Sequence, residues 1–131
     1  MVQKNTTVWL PHLDLQSDKP LYEQLVESVA LAVASGELKP GDELPSVRSL
    51  AARLRINPNT AARALRMMER EGLSRAVRGV GSVVAENAQR HAKGRARQSL
   101  DRELDSTVNV ARRLGLDLES VIKALRKKWK E

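Results

Sequence analysis

Residues 46–85 read SVRSLAARLRINPNTAARALRMMEREGLSRAVRGVGSVVA, and the order of elements in this stretch decides the fold. Ser46 offers a hydroxyl to an otherwise unpaired amide, and Val47, Leu50, Ala51 and Leu54 follow at spacings of three and four. That pattern predicts a short helix ending near Leu54 or Arg55. After a tight turn around Ile56, Asn57-Pro58 marks a new start, an N-cap followed by proline at the one helical position that loses no hydrogen bond. This helix is predicted to run to a stop at Gly72. At about 100° per residue, Ala61, Ala64, Leu65 and Met68 fall on one side and Asn59, Arg63, Arg66 and Arg70 on the other, so one face packs and the other is cationic. Beyond Gly72 two brief strands are predicted, Ser74–Val77 and Ser82–Ala85, turned by Arg78-Gly79-Val80-Gly81.

On the N-terminal side, SDKPLYEQLVESVALAVASG predicts a further helix. Ser17 or Asp18 can cap it, Pro20 suits its first turn, Leu21, Leu25, Val29 and Val33 form its apolar stripe, and Gly36 ends it. The residues through Gln16 read as a loose arm, with Leu13 and Leu15 alternating as a short strand would. LKPGDELPS is a turn-rich link around Pro40-Gly41. On the C-terminal side a basic stretch, Arg90, His91, Lys93, Arg95 and Arg97, contains Gly94, which weakens helix and favours a mobile charged linker over contact with flanking phosphates. Leu100, Leu104, Val108, Ala111 and Leu114 then recur as a stripe up to Gly115. Asp117 caps a last helix, across whose start Leu116 and Val121 form a hydrophobic staple, and Leu118, Val121, Ile122, Leu125 and Trp129 lie on its apolar side.

The expected fold is therefore mainly α with a small β-hairpin. It comprises an arm over residues 1–16, a winged helix-turn-helix domain over 17–86 and a two-helix tail over 87–131.

Composition narrows the function. Among 131 residues, 23 Lys and Arg against 16 Asp and Glu leave a formal charge of +7, the electrostatic footprint of a phosphate-binding surface. Phe is absent and Trp and Tyr total three, so the aromatic platforms that stack single-stranded or RNA bases have little support, and duplex DNA is the better partner. No run approaches the roughly 20 apolar residues of a membrane span, and the start lacks a secretory pattern, which together predict a cytoplasmic protein that does not engage the membrane. With no cysteine and only His12 and His91, the chain offers no raw material for a metal cluster or a histidine-based catalytic pair. Neither catalytic residues nor a cofactor are expected.

An isolated amphipathic helix with arginines on one side more often presents a solvated face than a ligand site. Here a short helix, a turn, the cationic helix and a glycine-rich hairpin come in the order that puts a helix into a major groove and a hairpin tip beside it.

The run GELKPGDELPSVRSLAARLRINPNTAARALRMMEREGL, closed by RGVGSVVA, resembles the DNA-binding domain of GntR-family bacterial regulators, and PLYEQL at its front points to the YtrA subfamily. The resemblance covers Leu21 to Ala85. It implies that Arg48 reaches DNA and that Arg78-Gly79 forms the wing tip. It also implies that Asn57, Asn59 and Thr60 meet phosphates or base edges at the start of the recognition helix, where exposed amides favour an anion. Arg63 lies one turn along the exposed face. Ser46 is mostly a cap with a secondary phosphate contact, and for Asn57 capping alone accounts equally well for the residue. Ala61 and Leu65 stand where the family often carries larger apolar residues. Pro58 replaces the basic or polar residue of other branches, so base contacts at that position are not carried over.

The 46 residues beyond Ala85 leave room only for a pair of helices, which in YtrA-type regulators serve dimerisation. The stripe Leu100, Leu104, Val108, Ala111, Leu114 with Val121, Ile122 and Leu125 could pack within one chain. Two helices bury too little by themselves, however, which favours a homodimer. The leading expectation is a sequence-specific regulator, a repressor acting on a palindromic operator, with transporter genes the usual association of the subfamily. An architectural binder of any duplex is the second reading, and a small enzyme the third. A small-molecule effector is compatible with the sequence, which does not identify one.

Overall fold

The computed structural model describes residues 9–131. Seven elements run in the order α1 (Leu21–Ala34), α2 (Val47–Leu54), α3 (Pro58–Arg70), β1 (Ser74–Val77), β2 (Gly81–Val84), α4 (Ala88–Arg113) and α5 (Leu118–Trp129). They form two compact units that divide between Ala96 and Arg97.

In the first unit, α1, α2 and α3 enclose a core of Leu25, Val29, Val33, Leu50, Ala61, Ala64 and Met68, with Leu73 added from the turn before β1 and Val84 from β2. Local chemistry starts and stops each helix as expected for α2 and α3. The Ser46 hydroxyl accepts from the Ser49 amide at 3.0 Å, and the Asn57 side chain accepts from the Asn59 amide at 2.8 Å. Between them Arg55 takes the left-handed φ of 55° that closes α2. At the end of α3 the Leu73 amide donates to the Met68 carbonyl and the Gly72 amide to the Glu69 carbonyl, a Schellman motif that requires the positive φ (80°) found at Gly72.

β1 and β2 pair antiparallel with Ser74 opposite Val84 and Val77 opposite Gly81, so the second strand begins and ends one residue earlier than the sequence predicts. Gly79 and Gly81, both at positive φ, bend the chain back, and the Val80 amide closes the turn on the Val77 carbonyl. The link before α2 is less free than its composition implies. Gly41 and Leu44 donate to the Val84 and Ser82 carbonyls, and Glu43 bridges Val83, so residues 41–44 line the outer edge of β2.

Three expectations are corrected. The arm is neither loose nor stranded over residues 9–16. Asp14 accepts from the Gln16 amide and the Ser17 amide bonds back to the Asp14 carbonyl, so the chain turns where a strand would continue; Leu13 packs on the core while Leu15 faces solvent. Residues 1–8 of that arm lie outside the described residues. Second, neither Ser17 nor Asp18 caps α1. Its N-cap is Pro20, and the buried Gln24 side chain ties the arm to the helix by donating to the Asp14 and Lys19 carbonyls and accepting from the Asp14 amide. Third, the basic stretch is helix, not linker. α4 runs through Gly94 because Ala88 and Ala92 are fully buried in the core, and because Arg95 Nε pairs with Glu71 Oε1 at 2.7 Å while its NH1 faces Glu27 at 3.8 Å. These tertiary contacts outweigh the roughly 1 kcal/mol that glycine costs a helix.

The second unit holds the rest of α4 and α5. Gly115, at φ 71°, ends α4 through the same motif as Gly72, with Leu116 bonded to Ala111, and the Asp117 side chain caps α5 by accepting from the Ser120 amide at 2.9 Å. Among the described residues no helix is long and apolar enough to cross a membrane.

Candidate nucleic-acid interface

Packing dictates which side of α3 is free. Ala61, Ala64 and Met68 are buried and Leu65 lies against the core, which leaves Asn59, Arg63, Arg66 and Arg70 exposed on the opposite side. Among the described residues Arg48, Arg66, Arg70 and Arg78 make no ion pair, so this cationic surface is not neutralised from within the unit.

The helix starts carry distinct chemistry. At α3 the proline has no N–H, the Asn59 amide is held by the Asn57 cap, and the Thr60 and Ala61 amides bond to the Asn57 carbonyl. Among the described residues the start of α3 therefore offers an anion no spare backbone donor, contrary to the expectation of exposed amides there, and any polar contact it makes comes from side chains. Asn57 has its amide nitrogen to donate to a ligand, while its oxygen accepts at the cap. Asn59 is exposed and Thr60 half-buried. At α2, by contrast, the amides of Val47 and Arg48 pair with nothing among the described residues, beside the exposed Ser46 hydroxyl and the exposed Arg48 side chain. Free amides at a helix start can donate to an anion. Arg78 and Gly79 form the exposed hairpin tip, where a residue with a Cβ at φ 80° would be strained.

Two features are invisible in the sequence. The Arg63 guanidinium lies over the Tyr22 ring, 3.8 Å from its centroid, because α1 and α3 pack together. Arg95, predicted to lie in a mobile stretch, is instead a clamp on Glu71 at the exit of α3.

In the second unit Leu100, Leu104 and Val108 are 53%, 46% and 44% exposed, and Leu114 and Leu125 are likewise open to solvent. Val121 and Ile122 are half-buried, and Ala111 is buried. Leu116, Leu118 and Trp129, expected at the start and on the apolar side of the last helix, are exposed as well, as is Val110, which falls outside the predicted stripe.

The family model "Bacterial regulatory proteins, gntR family" matches residues 21–84. The chain is 35% identical over 109 residues to the HTH-type transcriptional repressor YtrA of Bacillus subtilis, covering 83% of this chain and 84% of that protein. It also superposes on a GntR family transcriptional regulator from Listeria monocytogenes with a TM-score of 0.71 and 28% identity, covering 86% of this chain and 98% of the other. YtrA from Sulfolobus acidocaldarius, described as a GntR-family transcription factor, matches 91% of this chain and 96% of its own at a TM-score of 0.55 and 27% identity. The likeness to both Listeria and Sulfolobus proteins thus extends past the winged helix-turn-helix into the helices that follow it. The cationic, unpaired face of α3, the glycine-turned hairpin and this shared extent agree: the chain belongs to the GntR family of DNA-binding bacterial regulators and is of the YtrA type.

Proposed function

We propose that the protein is a sequence-specific repressor that binds a palindromic operator as a homodimer, with α3 in the major groove and the hairpin tip at the adjacent minor groove. The observation that carries this reading is the row of exposed arginines, free of ion pairs among the described residues, on the one face of α3 that the core leaves open. Arg48 and Arg63 project from the two helices of the motif and supply forked donors suited to guanine, while Asn59 and Thr60 serve base edges or phosphates. Ser46, Asn57, Arg78 and Gly79 position the backbone. Repression is the sign carried by the name of the Bacillus relative, and an operator places the protein in the cytoplasm with the DNA.

Dimerisation follows from the second unit. Two helices exposing this many leucines and valines leave an apolar surface that water disfavours, and a second copy, related by a twofold axis, covers it with the same residues. Two recognition helices so related read the same sequence on opposite strands. Selection of bound duplexes from a random pool tests the whole reading, because it returns half-site sequence, symmetry and spacing together. Enriched sites with inverted half-sites are expected, and enrichment of one asymmetric half or of no sequence contradicts it. Replacing the exposed Leu104 and Val108 with glutamate leaves the core of one protomer intact and should yield a monomer on sedimentation; a dimer would place the interface elsewhere.

A further inference from the structure

Tyr22 has no place in the interface described so far. It is the second residue of α1, half-buried against the core, with its ring beneath the Arg63 guanidinium at 3.8 Å. We infer that Tyr22 is a positioning residue for DNA recognition, holding Arg63 by a cation–π stack in the orientation from which it meets a base edge. The inference rests on the reading of Arg63 as a base-contacting residue.

The stack suits that task because of how a guanidinium is built. Its five N–H donors lie in the plane of the group, so a ring pressed against its face leaves the hydrogen-bonding edge untouched. Both partners are anchored. Arg63 springs from α3 between the fully buried Ala61 and Ala64, and Tyr22 springs from α1 just before the fully buried Leu25 and Val26. An arginine free in solvent must give up several rotatable bonds when it forks onto a guanine. One already lying on a fixed ring has given them up before DNA arrives, which is preorganisation. Among the described residues Arg63 is the one arginine with an aromatic ring beneath it. The other exposed cations of the surface, Arg48, Arg66, Arg70 and Arg78, lack that support, so the structure singles out Arg63 as the residue with a fixed approach to DNA. The phenolic hydroxyl plays no part in the stack, so a phenylalanine should replace the tyrosine.

The test uses the full chain and the operator recovered by random-pool selection, measuring affinity for operator and scrambled duplex at one salt concentration. The variants are Tyr22→Phe, Tyr22→Leu, Arg63→Ala, the Tyr22→Leu/Arg63→Ala double variant, and Tyr22 replaced by a ring-fluorinated phenylalanine, which keeps the shape and removes the negative face. Arg63→Ala should lower the operator-to-scrambled ratio. Tyr22→Leu should lower it about two- to fivefold, the size of an exposed cation–π contact, at the same base pair. The double variant should be no worse than Arg63→Ala alone, Tyr22→Phe should retain the ratio, and the fluorinated ring should lose it as leucine does. Should Tyr22→Leu unfold the protein, the fluorinated ring carries the comparison. Additive losses in the double variant, or a fluorinated ring indistinguishable from phenylalanine, would make Tyr22 a packing residue and overturn the inference. A ratio that rises in Tyr22→Leu would also overturn it, since the stack would then be withholding Arg63 from DNA. If Arg63→Ala leaves the ratio unchanged, the base-reading role itself fails and the inference falls with it.

Discussion

Gly72 joins α3 to the hairpin, and its replacement by alanine has a cost that follows from two separate geometric facts. The first is backbone. Gly72 sits at φ 80°, in the left-handed region, where a residue bearing a Cβ is disfavoured by roughly 1–2 kcal/mol. The second is contact: a Cβ at this position would lie 2.7 Å from His91 Cδ2 and 2.9 Å from its Nε2. His91 is an exposed side chain on α4 and can swing away, so relieving this contact adds about 0.5 kcal/mol, the usual size of a surface change. Gly72→Ala should therefore destabilise the protein by about 1.5–2.5 kcal/mol in denaturant titration. Near 4–8 °C per kcal/mol for a unit of this size, that is a fall in Tm of roughly 6–20 °C. His91→Ala alone should change stability little, and in its background Gly72→Ala should cost only the backbone part, because the two changes share one contact. A Gly72→Ala protein as stable as the parent would refute the left-handed exit of α3. Strict additivity with His91→Ala would refute the contact.

Gly94 presents the opposite case, lying within α4 with no positive φ and with open space where a methyl group would sit, so Gly94→Ala should raise stability by up to about 1 kcal/mol in the same titration. Arg95→Ala should lower it by about 1–2 kcal/mol, since Glu27 and Glu71 would both lose a partly buried partner, and a loss of nothing would mean the clamp is not formed in solution. Asp117 caps α5, and its hydrogen bonds from Ser120 hold its carboxyl below the ordinary 3.8. A lowered folded pKa contributes stability that is complete above that ordinary value and is lost as pH falls through the folded one. Circular dichroism should accordingly show tail helix fading in that acid window in the parent protein and not in Asp117→Asn, whose cap does not titrate.

Where a residue's role is decided by its neighbours in sequence, the chain can be read directly. Ser46, Asn57, Gly72, Gly115 and Asp117 start and stop helices through bonds that span only a few residues, and each does what its type and position predict. The spacing of Ala61, Ala64 and Met68 likewise settles which side of α3 is free. Roles decided by distant partners are not legible in the same way. The propensity of Gly94 marks it as a helix breaker, whereas Ala88 and Ala92 are buried in the core and the Arg95 clamp is set by Glu27 on α1 and Glu71 at the exit of α3. Asp18 has the chemistry of a cap, yet Gln24 fastens the helix start from within. The amides at the start of α3 are free for an anion by position alone, but their bonds to Asn57 occupy them. Tyr22 and Arg63 are far apart in sequence and meet only because α1 packs on α3.

The most direct test of DNA reading by the α2–α3 surface is a set of paired titrations, operator and scrambled duplex across several salt concentrations, for Arg48→Ala, Arg63→Ala and Arg78→Ala. Loss of at least one of Arg48 and Arg63 should cost about 1–3 kcal/mol per half-site on the operator and relax preference at one base pair in each half-site. Loss of Arg78, on a glycine-rich tip with no rigid support, should weaken both duplexes alike and, across two subunits, flatten the slope of log affinity against log salt by roughly two units. If Arg48→Ala and Arg63→Ala both leave the operator-to-scrambled ratio unchanged, neither arginine reads bases, and the central assignment of this surface is wrong.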